Sequence, residues 1–225
     1  MNWGAKIADK AIHDIVSGPY DVTGALTFKD GDRMCHATAI KLMEAYWHKV
    51  DRIFFGRAAD KHHGINRMCF VEFGKSQKCI HMHFVAQSPF DAKLFCAMLN
   101  VLWEMLNEAN TLAVDNWIAP IQDKAAAAGY VTKEVWRFRD DMACINCNHS
   151  GTEYMSFDIA AQTQRIANQV QLDQLEAAYD RVPIHMILIR KKMEEREQQL
   201  KAKQRSRDQR LTSNLASLRQ HPKTT

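Results

Sequence analysis

The chain has 225 residues, is 46% hydrophobic and 25% charged, and carries a formal net charge of +4. That usage is ordinary for a folded globular protein and excludes disorder throughout, and no apolar run approaches the roughly 20 residues that span a bilayer. The charge is uneven: residues 186–225 hold 11 Lys+Arg against 4 Asp+Glu, about +7, which leaves about −3 for residues 1–185.

Residues 1–17 show helical spacing through Ile7, Ala11 and Ile15 and stop at Gly18-Pro19, a pair that ends helices. Val22 to Phe28 reads as a short strand. After Asp30-Gly31, the three-and-four spacing of Met34, Ala37, Leu42, Met43, Tyr46, Trp47, Val50 and Phe54 predicts an amphipathic helix ending near Gly56. A polar loop holds Asp60-Lys61-His62-His63-Gly64, with both histidines solvated. A strand from Arg67 to Phe73, turn residues Gly74-Lys75-Ser76-Gln77 and the run Cys79 to Val85 then predict a hairpin.

Ser88-Pro89-Phe90-Asp91 reads as a helix start, with Ser at the cap and Pro at the first position, and the helix is expected to reach about Asn110. Leu112 to Ile121 is read as a strand, and the Ala-rich stretch Asp123 to Arg139 as a helix carrying Gly129-Tyr130-Val131-Thr132-Lys133. A hairpin between helices predicts an α+β fold: an antiparallel sheet backed by helices, ferredoxin-like, rather than a doubly wound parallel sheet. From Asp158 onward Gly disappears and Gln, Ala, Arg and Leu dominate, so residues 1–155 are read as one domain and 156–225 as a helical, basic extension interrupted at Pro183.

Met1-Asn2-Trp3-Gly4 opens no signal peptide, so a cytoplasmic protein without membrane contact is expected. Six cysteines then read as reduced thiols, four of them (Cys35, Cys69, Cys79, Cys96) as small core residues. A lone Cys144-x-x-Cys147-x-His149 lacks the second pair of a zinc site. Gly74-Lys75-Ser76 lacks the glycine that a phosphate-binding loop places five residues earlier.

Three places carry chemistry. His81-Met82-His83 puts two imidazoles on one strand face, although chance supplies His-x-His roughly 0.4 times in such a chain, so its neighbours decide. Glu72 is a carboxylate in an apolar strand, costly to bury unpaired, and an in-register hairpin brings it onto the face of His81. Two imidazoles and a carboxylate suit Mg²⁺ or Mn²⁺ acting on a phosphate better than a closed zinc site. Tyr130 precedes Lys133 by one helical turn, and a nearby cation favours a phenolate nucleophile.

With these residues in this order, the chain resembles the HUH endonucleases of the rolling-circle replication initiator (Rep) type over roughly residues 20–140. Ala25-Leu26-Thr27-Phe28 looks like the first family motif, His81-Met82-His83 is similar to the second, and Tyr130-Val131-Thr132-Lys133 to the third. The resemblance implies an HUH nickase fold, Glu72, His81 and His83 as metal ligands, Tyr130 as nucleophile and Lys133 as its helper. It further implies single-stranded origin DNA as substrate, a 5′-phosphotyrosine intermediate and a plasmid or phage context. No nucleotide-binding loop is evident, so unwinding is expected to need a host helicase.

Motif order separates this chain from conjugative relaxases, whose tyrosine precedes the histidines. Single-tyrosine HUH transposases share the order but usually carry Gln where this chain has Lys133. A noncatalytic DNA-binding regulator and an interaction protein with a coiled-coil tail are the competing readings. In the tail, Arg190, Lys191, Lys192, Lys201, Lys203 and Arg205 suit duplex phosphates, while Ile187, Leu188 and Leu200 equally suit pairing of protomers. Trp117 and Trp136 are possible stacking platforms for unpaired bases, or core residues.

Overall fold

A computed structural model describes residues 3–73, 80–106, 116–135, 147–154, 161, 164–166, 168 and 172–220; side chains at 188, 189, 192, 193, 196 and 212–220 also fall outside the description. In chain order the elements are α1 (Trp3–Ser17), β1 (Val22–Thr27), α2 (His36–Phe55), a 3-10 turn (Gly56–Lys61), β2 (Arg67–Glu72), β3 (His81–Ala86), α3 (Ala92–Glu104), β4 (Trp117–Pro120), α4 (Lys124–Val131) and α5 (Leu172–Gln220). The strands form one sheet in the order β2-β3-β1-β4, antiparallel at every junction. This is the split βαβ order of a ferredoxin-like sheet, so the α+β expectation holds.

The pleat sends alternate residues to opposite faces and so builds two cores. Val22 and Leu26 of β1, Cys69 and Val71 of β2, Met82, Phe84 and Ala86 of β3 and Ile118 of β4 join Met43, Tyr46, Trp47 and Val50 of α2 and Phe95, Met98, Leu99 and Trp103 of α3. On the other face, Phe70 and Val85 meet Ala8, Ala11 and Ile15 of α1 and Ala128 and Val131 of α4. Here His81 and His83 emerge, in phase with Val85.

Local signals set the element ends. Gly56 closes α2 at φ 58°, where a side chain is strained, and its N–H donates to the Arg52 carbonyl. Asp123 caps α4 by accepting from the Ala126 N–H at 3.0 Å. The cap of α3 is Asp91 rather than Ser88: its carboxylate accepts from the Leu94 N–H at 2.8 Å. Ser88 is committed elsewhere, donating through its N–H and hydroxyl to the Asp21 carboxylate. The helix α3 ends at Glu104 with Met105 as its C-cap, short of the expected Asn110; residues 107–115, where β4 was expected to begin, lie outside the described residues, as does the turn 74–79.

The chain divides into two compact units, Met1–Met186 and Ile187–Thr225, so the division falls later than the composition shift after residue 155. The reason lies in the first turns of α5, where Leu175, Ala178 and Val182 are buried in the main core. Arg181 pairs with Glu104 at 2.9 Å, and His185 lies 3.3 Å from the Ile118 carbonyl. Pro183 does not interrupt the helix; it forfeits one backbone donor on an exposed position. The second unit is described as helix, with Ile187, Leu200 and Leu211 exposed. Cys69 and Cys96 are buried core thiols, whereas Cys35 is exposed beside the start of α2, and Cys79 lies outside the described residues. Among the described residues no helix is long and apolar enough to cross a membrane.

Two predictions follow from this packing. A Cβ at Gly24 would lie 2.5 Å from Cε1 of Phe84, whose ring stands edge-on to Trp47, so Gly24→Ala is expected to destabilise by about 1–3 kcal/mol in denaturant titration. Burial holds His185 and His149 below the ordinary histidine range, so the folded state binds fewer protons than the unfolded chain. Stability is therefore expected to be lost as pH falls through about 6.5, the unfolded value. The loss should shrink in His185→Gln, as read by unfolding midpoints between pH 7.5 and 5.5.

Candidate metal centre

The β2–β3 ladder pairs Glu72 with His81 and Phe70 with His83, so Glu72, His81 and His83 rise from the same face of the hairpin. Met82 between the histidines is fully buried on the opposite face. Strand alternation and hairpin register thus deliver the juxtaposition that the sequence predicted, at the end of the ladder where β2 finishes and β3 begins. Across the other junction, Ala25 and Thr27 of β1 stand opposite His83 and His81.

All three ligand atoms lie within 4.8 Å of one another. Glu72 Oε2 accepts from His83 Nε2 at 2.5 Å and is 3.0 Å from His81 Nε2. Glu72 is 7% exposed and His83 1%, while the His81 side chain, at 18%, opens toward solvent. Burial pushes the Glu72 carboxyl up, but the hydrogen bonds with His81 and His83 outweigh it and hold the group ionised, well below the usual carboxylate range. Burial also drives His83 down to about 3, against the pull of Glu72, so its imidazole is neutral at physiological pH. A neutral imidazole donating from Nε2 leaves Nδ1 as the acceptor, and His83 Nδ1 is buried with no hydrogen-bond partner. A neutral His83 imidazole beside an ionised Glu72 carboxylate is the protonation state a divalent ion requires, and the donor set of Glu72, His81 and His83 fits one.

Tyr130 and Lys133 reach the same place from α4. The Tyr130 ring stands perpendicular to His83, with centroids 5.0 Å apart, and 5.8 Å from Trp117. The helix was expected to run through Lys133; it ends at Val131, with Thr132 as its C-cap, and Lys133 sits in the following turn. The Thr132 hydroxyl donates to the Ala128 carbonyl at 2.7 Å, and the Lys133 N–H reaches the Tyr130 carbonyl at 3.4 Å, so the turn folds back tightly. Lys133 Nζ forms an ion pair with Glu72 Oε2, lies 3.4 Å from His83 Nε2 and stands 4.2 Å from the Tyr130 ring centroid. Glu134, next in sequence, is buried and accepts from the Phe73 N–H at 3.2 Å, which ties this turn to the end of β2.

Sequence reasoning missed the Lys133–Glu72 ion pair. The available signal was Glu72 itself, since a carboxylate in an apolar strand calls for a cation as much as for a metal. Trp117 is 1% exposed, so it packs against Tyr130 as core and is not a stacking platform. Trp136, Cys144 and the Gly74-Lys75-Ser76 turn lie outside the described residues. Cys147 is buried, and its carbonyl accepts from Arg67 at 2.7 Å; His62 and His63 are exposed, as expected. In the second unit Arg190, Lys191, Lys201, Lys203 and Arg205 are exposed, Lys201 pairs with Glu197, and the Lys192 side chain lies outside the description.

Comparison with protein-family models, with curated proteins and with solved structures finds no significant match. The chemistry of the site is therefore read from its own residues.

Mn²⁺ is expected to bind at one site, seen as loss of the free-ion electron paramagnetic resonance signal. His83→Ala should weaken it by more than about a hundredfold, since even outer partners of a metal contribute 10–100-fold. At a concentration a hundred times its dissociation constant, Mn²⁺ should stabilise the wild-type fold by about 2.7 kcal/mol.

Proposed function

We propose that the protein is a metal-dependent HUH-type DNA nickase that initiates rolling-circle replication at a single-stranded origin. The observation that carries this reading is convergence. Five residues singled out from three separate stretches, Glu72, His81 with His83, and Tyr130 with Lys133, meet around one carboxylate oxygen and one phenol ring.

Glu72, His81 and His83 would hold Mg²⁺ or Mn²⁺, whose role is to polarise the scissile phosphate. The chain's own residues supply the rest. The Tyr130 oxygen attacks phosphorus, forming a phosphotyrosine bond to the 5′ side of the nick as the bond to the 3′ oxygen breaks. The phenol gives up its proton and the leaving 3′ oxygen takes one, so the products are a covalent protein–DNA link and a free 3′-hydroxyl. Because the phosphodiester energy is kept in that link, a later 3′-hydroxyl reverses the step without ATP. The Lys133 ammonium beside the Tyr130 ring favours negative charge there, on phenolate or phosphate.

Exposed Arg190, Lys191, Lys203 and Arg205 support contact with duplex phosphates flanking the origin, a sequence-independent grip that weakens with salt. A host helicase would then supply unwinding.

The test incubates the protein with single-stranded oligonucleotides tiling the origin of its replicon, with Mn²⁺, and resolves products on a denaturing gel. The downstream fragment linked to protein through its 5′ phosphate is expected from wild type, abolished in Tyr130→Phe and reduced at least about a hundredfold in His81→Ala. An adduct that persists in Tyr130→Phe reassigns the nucleophile. Origin binding with no adduct from any oligonucleotide supports a noncatalytic regulator instead.

A further inference from the structure

Glu72 Oε2 is crowded. It is paired with Lys133 Nζ, accepts from His83 Nε2 at 2.5 Å and lies 3.0 Å from His81 Nε2. An ionised carboxylate offers about two acceptor positions on each oxygen, so three donors already fill this one. A divalent ion bound by Glu72 and the two imidazoles would compete for the same carboxylate, and it would set a second positive charge against an ammonium that is only 3.4 Å from His83 Nε2. Both cations cannot be favoured there together.

We propose that Lys133 and the divalent ion are mutually exclusive occupants of Glu72, so that metal entry evicts the lysine from the carboxylate. This rests on the metal-site reading above. Lys133 serves as a built-in counter-cation that keeps a buried carboxylate paired, and its release is what frees the ammonium, already beside Tyr130, to meet substrate phosphate. Metal binding and the readiness of Lys133 are thereby one event. An ordinary permanent salt bridge would instead leave metal affinity indifferent to the lysine, or dependent on it.

The experiment compares full-length wild type with Lys133→Met, which keeps length and loses charge, and with Lys133→Arg, which keeps charge. Mn²⁺ affinity is read from the free-ion signal, and thermal unfolding is followed in chelator and in saturating Mn²⁺. Lys133→Met should bind Mn²⁺ at least about tenfold more tightly than wild type, within the usual range of coupling between two bound species. It should also unfold at lower temperature in chelator and regain the wild-type midpoint in Mn²⁺. Lys133→Arg should stay close to wild type in affinity. If Lys133→Met does not remain folded in chelator, Lys133→Gln, which retains a donor for Glu72, carries the affinity comparison.

Wild type that binds Mn²⁺ while the uncharged variants bind equally or more weakly overturns the exchange and leaves the metal site standing. A stability loss in Lys133→Met that Mn²⁺ does not repair also overturns it. Failure of wild type and every variant to bind Mn²⁺ removes the metal-site reading itself, and the exchange with it.

Discussion

Glu72 puts a carboxylate on a sheet face otherwise closed by Phe70, Val85 and the small residues of α1 and α4. Burial there favours the neutral acid, and only the donors gathered around Oε2 reverse that preference. Those donors come from β3 and from the turn after α4, so the charge state of one side chain depends on the hairpin register and the docking of a helix together. Slipping β2 against β3 by one residue would turn Glu72 onto the face of Met82 and Phe84, inside an aromatic core with no donor aimed at it. The register is therefore held by large apolar side chains on the far face, and at its other end by Arg67. That guanidinium bonds Asp51 at 2.9 Å and the Cys147 carbonyl, and lies over the Trp47 ring, while its backbone exchanges hydrogen bonds with His149.

The two faces divide the work. The α2 and α3 side holds the large aromatics, Trp47, Phe84, Phe95 and Trp103, each worth about 1.5–3 kcal/mol when fully buried. The α1 and α4 side is lined with alanines, which bring helix backbones close to the sheet and leave room for Glu72, His81, His83 and Tyr130 at one end. His83 sits on a central strand with antiparallel neighbours on both sides, so its ring starts from a backbone that is paired in both directions.

Much of this was legible in the sequence wherever a period of two or of 3.6 met a strong stop. The alternation from Cys69 to Glu72 and from Met82 to Ala86, and the stops at Gly18-Pro19 and Gly56, fix the strands and helices. The same alternation puts Glu72 with both histidines once the hairpin is granted. What local pattern does not carry is tertiary demand. Ser88-Pro89 has the composition of a helix start, yet Asp21, 67 residues earlier, takes the serine, and Asp91 does the capping. The spacing of Leu175, Ala178 and Val182 belongs equally to a free extension or a core helix; only the partner surface on α3 and β4 decides, and it decides for the core. Lys133 is the same case at the site, since a Tyr-x-x-Lys spacing predicts a shared helix face but does not show that the helix ends first and swings the ammonium onto Glu72.

That early end of α4 has a chemical consequence. A lysine one turn further along an intact helix would hold its ammonium along the helix surface, beside Tyr130 and nothing else. Ending at Val131 and folding back through Thr132 lets Lys133 touch the carboxylate and the phenol ring at once. The positive charge that favours a phenolate is then shared with Glu72, and its strength at Tyr130 depends on what else neutralises that carboxylate. A site built this way ties Tyr130 to Glu72 and its histidines through one flexible side chain, so the electrostatics at the phenol respond to the carboxylate's partner without any movement of the sheet.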